Sequence, residues 1–475
     1  EEEPVLQEVC GAVGLPRATA SVTSCCILNN PLGEGVNEII KVFQDSPRLR
    51  TLCGFEEGIE KVDWSNSRKG VADVTLLAAE LTAGRAIASL TSCCLLHNPL
   101  GEGVNEIIKV FEETPRLRTL CGFEEGVQQI DWKDSGKGPA DVALLSAELK
   151  ACRAVAAVEA LAIGANPIGT EGGHILTEAI KSSNLKTIDI GKPLPLQGKY
   201  ESDTADLADS GMGPGQVVIL AWWLTTDAAA AVADLNISEA IIGDAGAALV
   251  EAISASSSLE FITIGKGLRL PLKDNYDSDI LDAAGKGIEA GGATVIAWWL
   301  TTSAAAALNA IMLDECLLTG TKIKDKGYSY ETIEQLDADL SGFTALCSSL
   351  SSSQIVSISL RKCYLGPQAV ALLTDAVKVM AALNSISCLM NPIGEEGLAT
   401  LVAAVKDSSV RSICGLTDGQ DTADFSGMGL RPFDLKILKA EFDFRGAIAA
   451  VASLRCGNNP GMVGKLDWRG GRDKA

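Results

Sequence analysis

The sequence predicts an α/β array of stacked strand–helix units, and three observations carry that expectation. Residues 21–64 and 89–132 are near copies, identical at 34 of 44 positions and offset by 68 residues. The pattern LxxLxLxxNxLG closes on anchors at Asn30, Asn98, Asn166, Ala240, Cys316, Asn391 and Asn459, spaced 68, 68, 74, 76, 75 and 68 apart. Aromatics make up only 5% of the chain against 47% hydrophobic residues, the profile of thin layers rebuilt from Leu, Ile, Val, Ala and Cys. Length alone (475 residues) suggests two to four domains. The repeat replaces these with a single array over 1–475 of about six to seven double units.

Each element of the unit follows from the pattern. In the second copy Leu90, Cys93 and Leu95 alternate as strand residues with one face inward, and Asn98, Leu100 and Gly101 close the turn. The third copy reads Val158, Leu161, Ile163, Asn166, Ile168 and Gly169, and two divergent copies put Cys316 and Cys363 at the Asn place. Asn or Cys there is expected to bond backbone groups where the chain leaves the strand. A helix over 103–111 follows, with Val104, Ile107, Ile108 and Phe111 at helical spacing. A second unit lies inside each period: a strand at 127–132 ending in Asp131-Trp132, then Gly138-Pro139 and a helix over 142–150. Pro suits that first turn because its missing N–H has no partner to lose there. Residues 117–121, Leu-Arg-Thr-Leu-Cys, are also strand-like, and the pattern leaves open which of the two segments, or both, joins the main sheet. Residues 5–20 align with the second helix of a unit and 465–468 with a shortened Asp-Trp element. Neither end carries a polar capping repeat, so a partner over the ends, or a longer parent chain, is expected.

With these motifs the chain resembles leucine-rich repeat proteins of the ribonuclease-inhibitor-like type over essentially its whole length. It is also similar to long leucine-rich-repeat proteins of microalgae that share TLCG, Gly-Pro-Ala-Asp and NPLGEEG-like segments and have no assigned activity. The resemblance implies a curved horseshoe solenoid with a parallel β-sheet on the concave side and helices on the convex side.

Forty Lys and Arg against 61 Asp and Glu give a net charge of −21, which argues against nucleic acid or an anionic membrane as partner. The two histidines, His97 and His174, fall in different copies and supply no base–orienter pair. The glycine-rich pieces at 211–215 and 285–287 lack the strand–helix context of a dinucleotide loop. Neither an enzyme nor a cofactor or metal site is expected. The longest apolar run, 217–224, is too short to span a bilayer, and the acidic start is no secretory signal. An intracellular reducing compartment is therefore expected, cytoplasm or organelle interior, since a start without Met allows a removed targeting segment.

Candidate surfaces follow from the repeat. Asp63, Asp131, Asp206, Asp282 and Asp424 precede Trp64, Trp132, Leu207, Ala283 and Phe425. If their strands lie in the sheet, the carboxylates line the concave face and recruit a basic protein; alternatively each caps backbone N–H groups at a turn. Cys26, Cys53, Cys94 and Cys121 would stack as a thiol ladder at the ~4.8 Å strand spacing, a redox-sensitive or metal-binding face. Repeat consensus in a reducing compartment accounts for them more simply, since no CxxC spacing occurs. Ala160, Ala162, Gly164 and Ala165 are expected to make one stretch of the surface flat, and Leu28, Leu96, Leu389 and Met390 to add apolar contact points. Of the doubled tryptophans, Trp222 and Trp298 are the candidates for outer anchors. The expected function is a non-catalytic protein-binding scaffold for one or more proteins with a basic surface. A structural or linker subunit of a larger assembly is the alternative. A regulator of an enzyme, such as a GTPase-activating protein, comes third on fold analogy alone.

Overall fold

The alternating consensus makes very short strands, most of them one outward–inward–outward triplet, and the buried middle residue of each is what ties strand to core. A computed structural model of the protein describes residues 22–324, 332–444 and 446–463. It is a mixed α/β structure with twelve α-helices among the described residues. The chain divides into two compact units, Glu1–Gln197 and Gly198–Ala475. The sequence elements at 5–20 and 465–468 lie outside the described residues.

The first unit runs α1 (Gly35–Asp45), β1 (Lys61–Asp63), α2 (Val71–Ala83), β2 (Ser92–Cys94), α3 (Gly103–Glu113), β3 (Gln129–Asp131), α4 (Pro139–Ala151), β4 (Ala160–Ala162), α5 (Gly169–Lys181), β5 (Thr187–Asp189) and β6 (Pro193–Pro195). β1 and β2 pair in parallel with Val62 beside Cys93, and β3, β4 and β5 pair in parallel with Ile130, Leu161 and Ile188 in register. β6 folds back antiparallel onto β5. All five central residues are buried. Both strand-like segments of the period join ladders: β3 pairs with β4, while Thr119 and Cys121 bridge to Ser92 and Cys94 on the open side of β2. The amides of Cys93 and Leu95 donate to the carbonyls of Thr119 and Leu120 at 3.0 and 2.9 Å.

The TLCG motif has a steric cause. At Gly122 (φ +78°) a Cβ would stand 3.0 Å from Cβ of Cys94 and 3.3 Å from its Sγ, so both backbone and space demand glycine. Gly54 repeats this against Cys26, and Gly415 against Ser387. α4 begins at Pro139, ahead of the expected 142, because the Asp141 carboxylate caps the Gly138 amide (3.0 Å) and Pro occupies the first helical position. α4 packs between α3 and α5, which is why it is buried nearly all round.

The second unit repeats the scheme: β7 (Thr204–Asp206), α6 (Pro214–Leu224), β8 (Asp234–Asn236), α7 (Gly246–Ala255), β9 (Phe261–Ile264), β10 (Leu268–Pro271), β11 (Ile280–Asp282), α8 (Ala290–Trp299), β12 (Ala310–Met312), β13 (Lys322–Lys324), β14 (Thr332–Gln335), α9 (Ser341–Ser351), β15 (Ser357–Ser359), α10 (Pro367–Val377), β16 (Ser385–Ser387), α11 (Gly394–Lys406), β17 (Thr422–Asp424), α12 (Asp434–Phe444) and β18 (Ser453–Arg455). Its parallel ladders are β7–β8–β9, β11–β12–β15–β16 and β17–β18, with antiparallel hairpins β9–β10 and β13–β14.

The sequence period is the period of a hydrogen bond. Nδ2 of buried Asn98 donates to the carbonyls of Leu95 and Leu96 in its own turn (2.9 and 3.2 Å) and to Trp64 O, 34 residues back, at 2.7 Å. Its Oδ1 accepts the amides of Ser67 and Lys69 at 3.2 and 2.8 Å. Asn166 reaches Trp132 O and Asn459 reaches Phe425 O over the same 34 residues, and Asn391 reaches Leu360 O. Where Cys replaces Asn, a single thiol donates: Cys316 to Ala283 O and Cys363 to Leu313 O. At Ala240, with no side-chain donor, the next amide (Ile241) bonds Met212 O at 2.9 Å. A second stitch spans 44 residues: Asp73, Asp141 and Asp434 each accept the amide of a left-handed turn residue, Asn29, His97 and Met390, at 2.7, 2.7 and 2.6 Å.

Two expected surface residues belong to the core. Leu96 and Leu389 are buried because the neighbouring turn closes over them, the Asn66 amide donating to Leu96 O and the Lys362 amide to Leu389 O. Leu28 and Met390 are half-buried. No described helix is long and apolar enough to cross a membrane.

Candidate functional site

The outward residues of the ladders form the candidate surface. In the first unit they are Lys61 and Asp63, Ser92 and Cys94, Gln129 and Asp131, Ala160 and Ala162, and Thr187 and Asp189. The five recurring aspartates all lie at strand ends and are exposed. Each also accepts the backbone amide two residues on: Ser65, Lys133, Ala208, Ala284 and Ser426, at 2.9 to 3.2 Å. The sheet position and the local cap therefore coexist, one oxygen serving the turn. Hydrogen bonds from Ser65 hold the Asp63 carboxyl below its ordinary value, and those from Ser426 do the same for Asp424. Beside Asp131 the row continues through Ala162 to Asp189, so two carboxylates flank a floor of alanine. Asp206 also receives the Asn236 amide at 3.0 Å, and Asp424 faces Arg455 at 3.9 Å.

The four cysteines do not make one continuous row. Cys26 pairs with Cys53 and Cys94 with Cys121, but the other neighbour of Cys94 is Asp63 of β1. Cys26 is exposed and Cys94 half-buried, whereas Cys53 and Cys121 are buried and lie against Glu80 and Glu148. Burial pushes the thiols of Cys53 and Cys121 up, the neighbouring carboxyls adding to it. A thiol reagent is therefore expected to label Cys26 in the native chain and to reach Cys53 and Cys121 only after unfolding. Native labelling of Cys121 at the rate of Cys26 would contradict this packing. Among the described residues no three His, Cys, Asp or Glu side chains converge as metal ligands.

Trp222 and Trp298 are half-buried on α6 and α8, while Trp223 and Trp299 fill the core edge-on to Tyr200 and Tyr276 at 5.5 and 5.4 Å. His97 serves the repeat: its Nε2 meets the ammonium of Lys137, which lies 5.0 Å over the Trp132 ring. In the first copy Lys69 lies over Trp64 and bonds Asn29 at 2.8 Å.

Sequence reasoning passed over a set of buried glutamates. Oε1 of Glu148 accepts the amides of Leu120 and Cys121 (2.6 and 2.7 Å) and the Thr119 hydroxyl (2.8 Å). Glu80 does the same for Leu52, Cys53 and Thr51, and Glu441 takes the Ile413 amide at 2.7 Å. In α8 the equivalent place is Trp299, whose Nε1 donates to Pro271 O at 2.7 Å. Each of these four side chains makes one bond that spans 28 residues, back to the segment that follows a consensus strand or its hairpin. The signal was the Glu shared by LAAEL and SAELK, which resembles an ordinary exposed helix residue. No protein-family model matches this chain, and no curated protein matches it.

Proposed function

We propose that the chain is a non-catalytic protein-binding scaffold of the leucine-rich-repeat kind. Its units would continue as one curved solenoid that presents the outward ladder residues to a protein partner. The observation that carries this reading is the recurrence of one asparagine bond set, over 34 residues at Asn98, Asn166 and Asn459 and 31 at Asn391, beside ladders whose outward residues are small or acidic. Five outward carboxylates favour a partner with a basic surface, by steering and by exposed ion pairs that salt screens. The test is capture of partners from the native source, followed by affinity measurement across salt. Changing all five aspartates to asparagine is expected to weaken binding about tenfold, at a fraction of a kcal/mol per exposed pair. Affinity that ignores both salt and the substitutions would remove the acidic-face reading.

The half-buried Trp222 and Trp298, at equivalent places on α6 and α8, favour a second reading as a subunit of a larger assembly. Sedimentation of the isolated chain as a monodisperse monomer, with no tryptophan-dependent association, counts against it.

A further inference from the structure

The fold leaves one oxygen of each buried glutamate without a partner. Oε2 of Glu148 and Oε1 of Glu441 are buried and meet no hydrogen-bond donor, while the other oxygen holds the strand about 28 residues before it through backbone amides. A charged carboxylate with a dry, unbonded oxygen is the costly form; the neutral acid places its O–H at that oxygen. The donors on the other oxygen, Thr119 with the Leu120 and Cys121 amides for Glu148 and the Ile413 amide for Glu441, favour the charge, and burial outweighs them. Toward Glu148 the strand at 119–121 presents Thr119 and the Cys121 thiol, with Asp141 of α4 beyond it. Arg153, which interacts with Glu148 electrostatically, has its guanidinium bonded to the carbonyls of Phe111, Thr114 and Leu117 at 2.8, 3.0 and 2.7 Å. Toward Glu441 the strand at 412–414 presents Ser412 and the Cys414 thiol, with Asp434 nearby. Among the described residues neither carboxyl makes an ion pair. Burial is the leading cause that pushes both carboxyls up from the ordinary glutamate value.

We propose that Glu148 and Glu441 each hold a proton in the folded chain and act as latches: releasing it loosens the strand at 119–121 or 412–414 and uncovers the edge of β2 or β16. The step is a simple dissociation, the carboxyl O–H giving its proton to water and leaving a carboxylate. For groups raised on folding, the stabilisation is complete below the unfolded value and is lost as pH rises through the folded one. The uncovered edge of β2 would present the Cys93 and Leu95 amides, which are now bonded to Thr119 and Leu120.

Hydrogen exchange of the whole chain tests this, read on peptides covering 91–96 and 118–122 with the intrinsic pH dependence removed. The native chain is expected to lose protection there by up to about tenfold per pH unit above the folded titration. Glu148→Gln keeps an acceptor oxygen but cannot ionise. It should flatten that profile while peptides over 384–388 and 411–416, governed by Glu441, still respond. Equal slopes in native and Glu148→Gln chains would overturn the proposal. Should Glu148→Gln fail to fold, infrared difference spectra of the native chain decide. A protonated-carboxyl band persisting above the pH at which exposed glutamates ionise, and reduced in Glu441→Gln, supports the latch; no such band overturns it.

Discussion

Asn98→Ala is expected to destabilise the second copy by about 3 kcal/mol, the cost of stranding buried backbone groups that a short side chain had satisfied. The substitution leaves the Lys69 amide without its partner, takes from Trp64 O one of its two donors (the Ser67 hydroxyl remains), and opens a small void at a buried turn. Asn98→Cys supplies the single donor that Cys316 and Cys363 use, and should recover about half of the loss. Asn30→Ala should cost clearly less, because Asn30 is exposed and among the described residues its side chain bonds carbonyls of its own turn alone. Native-state hydrogen exchange at Ser67 and Lys69 reports the local opening free energy directly. A loss under 1 kcal/mol at Asn98 would show that the 34-residue bond is incidental to the stacking.

The second large effect concerns the donor–acceptor match between a helix and the strand 28 residues before it. Trp299→Ala should cost about 4 kcal/mol, since a fully buried indole leaves a large cavity. Trp299→Phe retains most of the packing and strands Pro271 O, for about 2 kcal/mol. The sharper comparison exchanges residues native to equivalent places. Glu148→Trp puts an N–H donor where the strand offers the amides of Leu120 and Cys121, and Trp299→Glu puts a carboxylate against the carbonyl of Pro271. Each exchange should be more damaging than the same site's alanine, because a mismatched polar group adds repulsion to the lost bond. Thermal unfolding of the four variants ranks them; an exchange milder than its alanine would mean that bulk alone governs the position.

The candidate surface was legible only in part. The five aspartates could be placed on outward strand positions because they stand at a fixed step from the anchors. Their double use, as cap and as surface charge, depends on backbone geometry two residues on. Cys53 and Cys121 read as surface thiols because TLCG looks like one more strand with alternating faces. The glycine that follows turns the chain and packs against Cys94, so the cysteine before it points toward Glu148. Leu96 and Leu389 read as exposed for a related reason: the pattern counts faces along one strand and knows nothing of the turn that covers it.

By itself the amino-acid sequence determined the period, the strand and helix of each half-unit, the anchor places and the inward residues. These are local properties repeated many times, and repetition averages out the error of any single copy. Tertiary structure alone decided that both strand-like segments join the ladders, that β9–β10 and β13–β14 become hairpins, and that a buried Glu serves the segments at 51–53, 119–121 and 412–414 and a buried Trp serves β10. Those choices turn on whether an amide or a carbonyl is left facing a helix 28 residues away. No window of sequence contains both partners of such a bond.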